Sequence, residues 1–416
     1  LFLTIFASFE GEFINKMDVL EHVAALLQEA ETLFGATRDD SLSATPDWDG
    51  LFGLFTPSAS AEERTEYLQY AKRQGFHPLA GLKLAEEVVS RFLSGFDLFG
   101  KLLPALIAVV RDAPRLFPSQ IPLLVKQSSG SVSLSQDQVF VLLVLSFFSR
   151  LPHGPGSTFG KVSWLDLVGR SNPVGVHRIA CLLCYFHRYL FDPINPACST
   201  SDGAAFGTCR ALLTDSNEVL PSSKEPSMIR FERICFNPEQ LPDLDSSLQP
   251  LLETPKDITI SSAVRIEDFT SSDAVVDFAN KFVHIGCVIP SATQEEVLFS
   301  IYPECMLAVV LFEELDDNEV GCIHGVRRYS NYTGYGPRFQ FDGAHVDGTD
   351  QRRTQSVVIM DALENGAEQQ FTHFGYHRDV YKALCGFESV RLLGPQGRSS
   401  PTVVATGGWG CGVFGG

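Results

Sequence analysis

Near residue 225 the chain changes texture, and that change limits the folds open to it. Upstream, apolar residues recur at helical spacing. Val19, Leu20, Val23, Leu26, Leu27, Ala30 and Leu33 share one face, and Gly35 stands where such a helix would stop. Ala61–Gln74 predicts a polar amphipathic helix ending at Gly75. Leu82–Phe92, Leu102–Val110 and Ile179–Leu190 predict others, the second with Pro104 in its first turn. Ser135, followed three residues later by Gln138, is a capping box; it opens a helix over Val139–Phe148 that is apolar all round and so expected at the centre. A Ser/Pro-rich stretch at about 193–225 predicts a connector. Downstream, short β-branched runs at Ile258–Ile260, Ala274–Phe278, Val320–Ile323, Ser356–Met360 and Thr402–Ala405 alternate with helical candidates at Glu295–Phe299 and Asp379–Leu384. The expected organisation is an all-α domain over 1–225 followed by an α/β domain over 226–416, with ligand loops at the strand ends.

The length of 416 residues agrees with two domains. A net charge of -18 argues against broad nucleic-acid binding. It leaves room for an anionic ligand, because a basic rim acts within a Debye length of about 8 Å. The ten cysteines are scattered; Cys181 and Cys184 form a lone CxxC among apolar residues, read as buried reduced thiols of an intracellular protein, nuclear or cytoplasmic. The longest apolar run, Val139–Phe148, is far short of the roughly 20 residues that span a bilayer, so no membrane partner is expected. The chain starts without Met and ends on a loop-like sequence, so both ends read as cut.

The chemistry concentrates between Val276 and Gly343. A strand-like Val276–Asn280 leads through a glycine-containing loop to Glu295 and Glu296, and a Tyr-Thr-Gly-Tyr run ends at Tyr335. That order suits a site that grips a nucleotide-like ligand and cuts a sugar bond, where a protonated carboxyl serves the leaving oxygen and water must then be activated. Taken alone, an adjacent Glu pair is also the pattern of a solvated helix face. The run from Gly410 to Gly415 fits GxGxxG, either a loop approaching a diphosphate or a tight turn. Arg327, Arg328, Arg338, Arg352 and Arg353 could neutralise ligand phosphates or sit as ordinary surface arginines. His373 and His377 lie four apart without a third ligand and are read as surface residues; Asp342, Asp347 and Asp350 are read as a solvated loop.

Several ordered motifs carry a resemblance: Val276-Asp277-Phe278-Ala279-Asn280, Gln294-Glu295-Glu296, Tyr329-Ser330-Asn331-Tyr332-Thr333-Gly334-Tyr335, Gln351-Arg352-Arg353-Thr354, Asp361-Ala362-Leu363, Cys385-Gly386-Phe387 and Ala405-Thr406-Gly407-Gly408-Trp409-Gly410-Cys411-Gly412. From roughly residue 80 onward the chain resembles the catalytic region of poly(ADP-ribose) glycohydrolases. The resemblance implies a macrodomain-like (α/β/α) catalytic domain preceded by an all-α accessory domain. It implies hydrolysis of ribose–ribose O-glycosidic bonds in poly(ADP-ribose), with no metal and no cofactor, and poly(ADP-ribosyl)ated proteins as partners. Glu296 would be the acid/base and Glu295 would hold ribose hydroxyls. Asp277, Asn280 and Gly286 would fix the terminal ADP-ribose, Gln294 would orient the acids or the ligand, and Tyr335 would pack near the adenine. Gly407, Gly410, Cys411 and Gly412 would wrap the diphosphate, and Phe414 would be a further substrate-binding residue.

The chain departs from the family pattern in four places. The family's triple glycine is His284-Ile285-Gly286 here, Gly408 and Tyr302 stand where Asn is usual, and the chain stops where the family continues with a helix and a core strand. A β-branched Ile suits positive φ poorly, so a catalytically impaired ADP-ribose reader is the alternative expectation. An uncovered sheet edge at the C-terminus predicts marginal stability.

Overall fold

The computed structural model describes residues 13–14, 24–26, 28–29, 61–74, 77, 79–111, 113–117, 119–151, 159–160, 162, 164–169, 171–191, 227–244, 258–269, 271–283, 289–346, 353–364, 366–393, 402–412 and 414. The expected helix around Val19–Leu33 and the connector at about 193–225 lie largely outside these residues, as do His284, Ile285 and Gly286.

The N-terminal part is built from helices α1 (Ala61–Gln74), α2 (Ala80–Ser90), α3 (Leu103–Val110), α4 (Gln136–Phe147) and α5 (Pro173–Phe191). Each has a sequence reason. Helix α1 carries Glu62 and Glu63 in its first turn and Lys72 and Arg73 in its last, the polarity that complements a helix dipole. Helix α2 buries Leu82, Ala85 and Val89 along one stripe. The capping box at α4 forms as expected: Ser135 Oγ accepts from the Gln138 N–H at 3.1 Å, and the Gln138 side chain accepts from the Ser135 N–H at 2.8 Å. Helix α4 is buried on all sides, and Phe140 stacks on Tyr189 of α5 at 4.2 Å between ring centroids.

Beside a two-residue antiparallel pair, Phe13–Ile14 with Ile121–Pro122, the strands among the described residues are β1 (Gly130–Ser135), β2 (Met228–Cys235), β3 (Ala274–Ala279), β4 (Glu319–Val326), β5 (Ser330–Thr333), β6 (Gln340–Ala344), β7 (Gln355–Asp361) and β8 (Val404–Ala405). Six of them make one mixed sheet in the order β8-β3-β7-β4-β2-β1; β8, β3 and β7 run parallel and the remaining pairings are antiparallel. The other two pair with each other as a separate antiparallel ribbon. Strand β1 comes from the helical half of the sequence, so that half is not purely α.

The sheet is the middle of three layers. Helix α7 (His373–Leu393) covers one face, where Val276, Val320, Val358 and Val390 meet. Gly386 makes the close approach possible, because a Cβ there would stand 2.5 Å from Val358. Val275, Ala279, Ile323 and Ile359 point to the other face, toward α4, α5 and α6 (Gln294–Ile301).

Two strand expectations need correction. Ile258–Ile260 forms no strand, and Ile260 is 92 % exposed, because the segment has no sheet neighbour. Strand β2 was not expected from sequence. Its central Arg233 is fully buried and is held by Glu319 of β4 and by the Leu124, Glu313 and Glu314 carbonyls. Cys181 and Cys184 are buried free thiols. His373 and His377 stack at 3.8 Å between ring centroids, and no metal-holding group of three His, Cys, Asp or Glu exists among the described residues. Among them, too, no helix is long and apolar enough to cross a membrane.

Candidate active site

Strand β8 pairs with β3 only at Ala274 and Val275, then leaves the sheet. The next ladder groups on that side of β3 are the Val276 carbonyl and the Phe278 N–H. The side chain of Gln294 takes both: its Nε2 donates to Val276 O at 2.9 Å and its Oε1 accepts from Phe278 N at 2.8 Å. A primary amide has one donor edge and one acceptor edge, so it can stand in for a strand residue opposite Asp277. This contact docks the first turn of α6 against the C-terminal end of β3, where ligands bind in parallel α/β sheets.

The docking fixes the two acids. Glu295 is 4 % exposed and Glu296 5 %, so the solvated-face reading of this pair does not hold. Glu296 Oε2 accepts from the Thr293 N–H at 2.7 Å, the Thr293 hydroxyl bonds the same oxygen, and Ser291 Oγ stands 3.5 Å away. Thr293-x-x-Glu296 is therefore a capping box, a pattern legible in the sequence yet not read there.

Asp277 points from β3 toward α6 and is fully buried, with no hydrogen-bond partner for either carboxyl oxygen. Burial first, and the nearby charge of Glu296 second, push its carboxyl well above the usual carboxylate range. It lies beneath the acids rather than on an open surface. Asn280, just past the strand, accepts the Phe282 N–H at 3.0 Å and turns the chain.

Tyr335 is 56 % exposed, on the link between β5 and β6. The next residue, Gly336, donates its N–H to Ala292 O at 2.9 Å, which ties this link to the segment leading into α6. Partial burial and then Glu296 raise the Tyr335 phenol, and the Gln294 backbone N–H opposes them. The ring thus stands beside the acid pair and remains open to a ligand.

The glycine turn closes the same edge. A Cβ at Gly407 would stand 3.4 Å from the Phe278 ring, Gly410 has φ +78°, and its Cβ position is 3.5 Å from Ala362, just past β7. Trp409 anchors the turn, its indole N–H donating to Met360 O at 2.9 Å. Cys411 and Gly412 are exposed and Phe414 is half-buried. Gly286 falls outside the described residues. The arginines divide. Arg327 and Arg328 are buried, and Arg328 pairs with Asp268 at 2.6 Å; Arg353 binds Asp273 at 3.2 Å. Arg328 and Arg353 are committed to the protein, whereas Nε and Nη1 of the buried Arg327 have no hydrogen-bond partner; Arg338 is exposed and Arg352 lies outside the described residues.

Residues 242–416 match the macro domain fold of poly(ADP-ribose) glycohydrolase, and residues 96–203 match the helical domain of the same family. The chain belongs to the poly(ADP-ribose) glycohydrolase family. It is 27 % identical over 407 residues to the probable poly(ADP-ribose) glycohydrolase 2 of Arabidopsis thaliana, an alignment covering 82 % of this chain and 70 % of the relative. It is 26 % identical to poly(ADP-ribose) glycohydrolase 1 of the same plant, over 70 % of this chain and 51 % of that one. Its identity to poly(ADP-ribose) glycohydrolase 1 of Caenorhabditis elegans is 26 %, over 74 % of this chain and 36 % of that one. The chain thus spans about half the length of the second relative and about a third of the third. Within this family's macro domain match lie β3, α6, the Tyr335 link and the glycine turn. Of the family departures, Tyr302 is fully buried and its hydroxyl donates to Gln355 Oε1 at 2.6 Å, while Gly408 is exposed in the turn.

Proposed function

We propose that this chain hydrolyses ribose–ribose O-glycosidic bonds of poly(ADP-ribose) and releases ADP-ribose, with Glu296 as the acid/base. The observation that carries the reading is the pair Glu295–Glu296, nearly buried on the first turn of α6, beside the buried carboxyl of Asp277 and the open ring of Tyr335. In its acid form Glu296 gives a proton to the bridging oxygen as the C1–O bond breaks, and positive charge spreads over C1 and the ring oxygen. Water then attacks C1 and loses a proton to Glu296, which restores the acid. Glu295 accepts ribose hydroxyls. The backbone amides from Gly407 to Gly412 face the diphosphate, where glycine allows close approach. Poly(ADP-ribosyl)ated proteins, in the nucleus or cytoplasm, are the partners this reading carries with it.

The test is incubation of purified protein with labelled poly(ADP-ribose), beside Glu296→Gln. Loss of a general acid/base costs about 10²–10⁴-fold, so release should fall by that factor. Release that survives the substitution sinks the assignment. ADP-ribose binding without release by the wild type would instead identify a reader.

A further inference from the structure

We propose that Thr293 is a positioning residue for the acid/base carboxyl, its N–H and its hydroxyl together holding Oε2 of Glu296 and leaving Oε1 outside those contacts; this rests on the role proposed for Glu296 above. The arrangement follows from the local sequence. Thr293 is the N-cap and Glu296 the third helical residue, so the backbone turn brings the two side chains together. Gln294 then locks that turn to β3 through two bonds, so the box does not drift relative to Asp277.

A capping box has a consequence at a catalytic carboxyl: one oxygen is fixed, which sets the direction of the other. The titratable and charged groups on the elements packed against α6 include Asp277 on β3, Arg178, Cys181 and Tyr185 on α5, Tyr332 on β5, Glu304 and Cys305 just past the helix, and Tyr335, beside Glu295 on the helix itself. Arg178 spends its guanidinium on Ser300 Oγ and on the Ile289 and Ser291 carbonyls, and Glu304 accepts from the Arg327 N–H and the Tyr329 hydroxyl. Asp277 makes no hydrogen bond. Thr293 reaches the Glu296 carboxyl through its N–H at 2.7 Å and its hydroxyl, and Ser291 Oγ through a longer contact at 3.5 Å.

The experiment compares kcat and KM for ADP-ribose release by wild type, Thr293→Val and Thr293→Ser. Valine keeps the shape and the backbone N–H and replaces the hydroxyl by a methyl. kcat should fall by about 10-fold in Thr293→Val with KM little changed, as for a catalytic group left free to turn, and stay near wild type in Thr293→Ser. An unchanged kcat in Thr293→Val, or the same loss in Thr293→Ser, overturns the proposal. If Thr293→Val fails to fold, a carboxyl-carbon NMR titration of the labelled wild type decides. The Thr293 amide proton should then follow the Glu296 carboxyl with a common midpoint, and an amide that does not respond overturns the contact. A wild type that releases no ADP-ribose defeats the functional reading, while that NMR titration still judges Thr293.

Discussion

Replacing Gln294 with Leu tests whether one side chain substitutes for the missing end of a strand. The variant keeps the bulk and deletes both hydrogen bonds, at 2.8 and 2.9 Å, that hold Phe278 N and Val276 O. A net hydrogen bond is worth about 0.5–1.5 kcal/mol, and a buried group left without a partner costs about 1–3 kcal/mol. Val276 is fully buried and Phe278 half-buried, which places the total at about 2–4 kcal/mol. Urea unfolding should show the loss as a lower midpoint at unchanged slope. Because the same two bonds seat Glu295 and Glu296, ADP-ribose release should drop as well, by about 10-fold or more, as expected for a catalytic group displaced by a fraction of an ångström. Gln294→Glu adds a sign test. An ionised Glu can accept from Phe278 N but cannot donate to Val276 O, whereas the acid form can do both. Its folded pKa would be raised, so its stability is fully present below the unfolded value of about 4.3 and is lost as pH rises through the folded pKa. If Gln294→Leu kept its urea midpoint and activity, or Gln294→Glu gave no recovery on acidification, the idea that this amide completes the β3 ladder would be wrong.

Two further substitutions probe buried carboxyls. Asp277 has its folded pKa raised, so it favours folding most below the unfolded value of about 3.9 and progressively less as pH rises through the folded one. Asp277→Asn should remove that decline and be at least as stable as wild type at pH 8, whereas an undiminished pH slope in the urea midpoint would show that another group causes it. Asp361, at the end of β7, accepts from both Arg378 and Lys382, and all three are buried. Asp361→Asn leaves Lys382 without its ion-pair partner, while Arg378 keeps Asp317 and Asp379, and should cost about 3 kcal/mol. Burial already lowers the Lys382 pKa, so the penalty should shrink as pH rises toward neutralisation of the amine; a loss below 1 kcal/mol, or one independent of pH, would count against the pairing.

Local grammar made much of this molecule readable. The Ser135 capping box, the all-round apolar α4, and the strands at Ala274, Val320 and Ser356 each follow from patterns a few residues long. The Thr293–Glu296 box uses the same grammar, but a glutamate already read as chemical hid its structural job. Strand β2 alternates apolar and charged residues, yet the charge of Arg233 argues for an outward face. Only Glu319, on another strand and 86 positions away, makes burying it tolerable. Ile258–Ile260 has strand composition and remains unpaired, because β propensity expresses itself only where a neighbouring strand exists.

By itself the sequence determined which residues could serve the chemistry: two adjacent carboxyls, an aromatic, and a glycine turn in a fixed order. The tertiary structure decided what state those residues are in. The pKa of Asp277 is raised because a layer of helices removes water from it, and Glu296 is held because Gln294 seats α6 on the open side of β3. Desolvation and docking are sums over neighbours distant along the chain, and no run of adjacent residues encodes them.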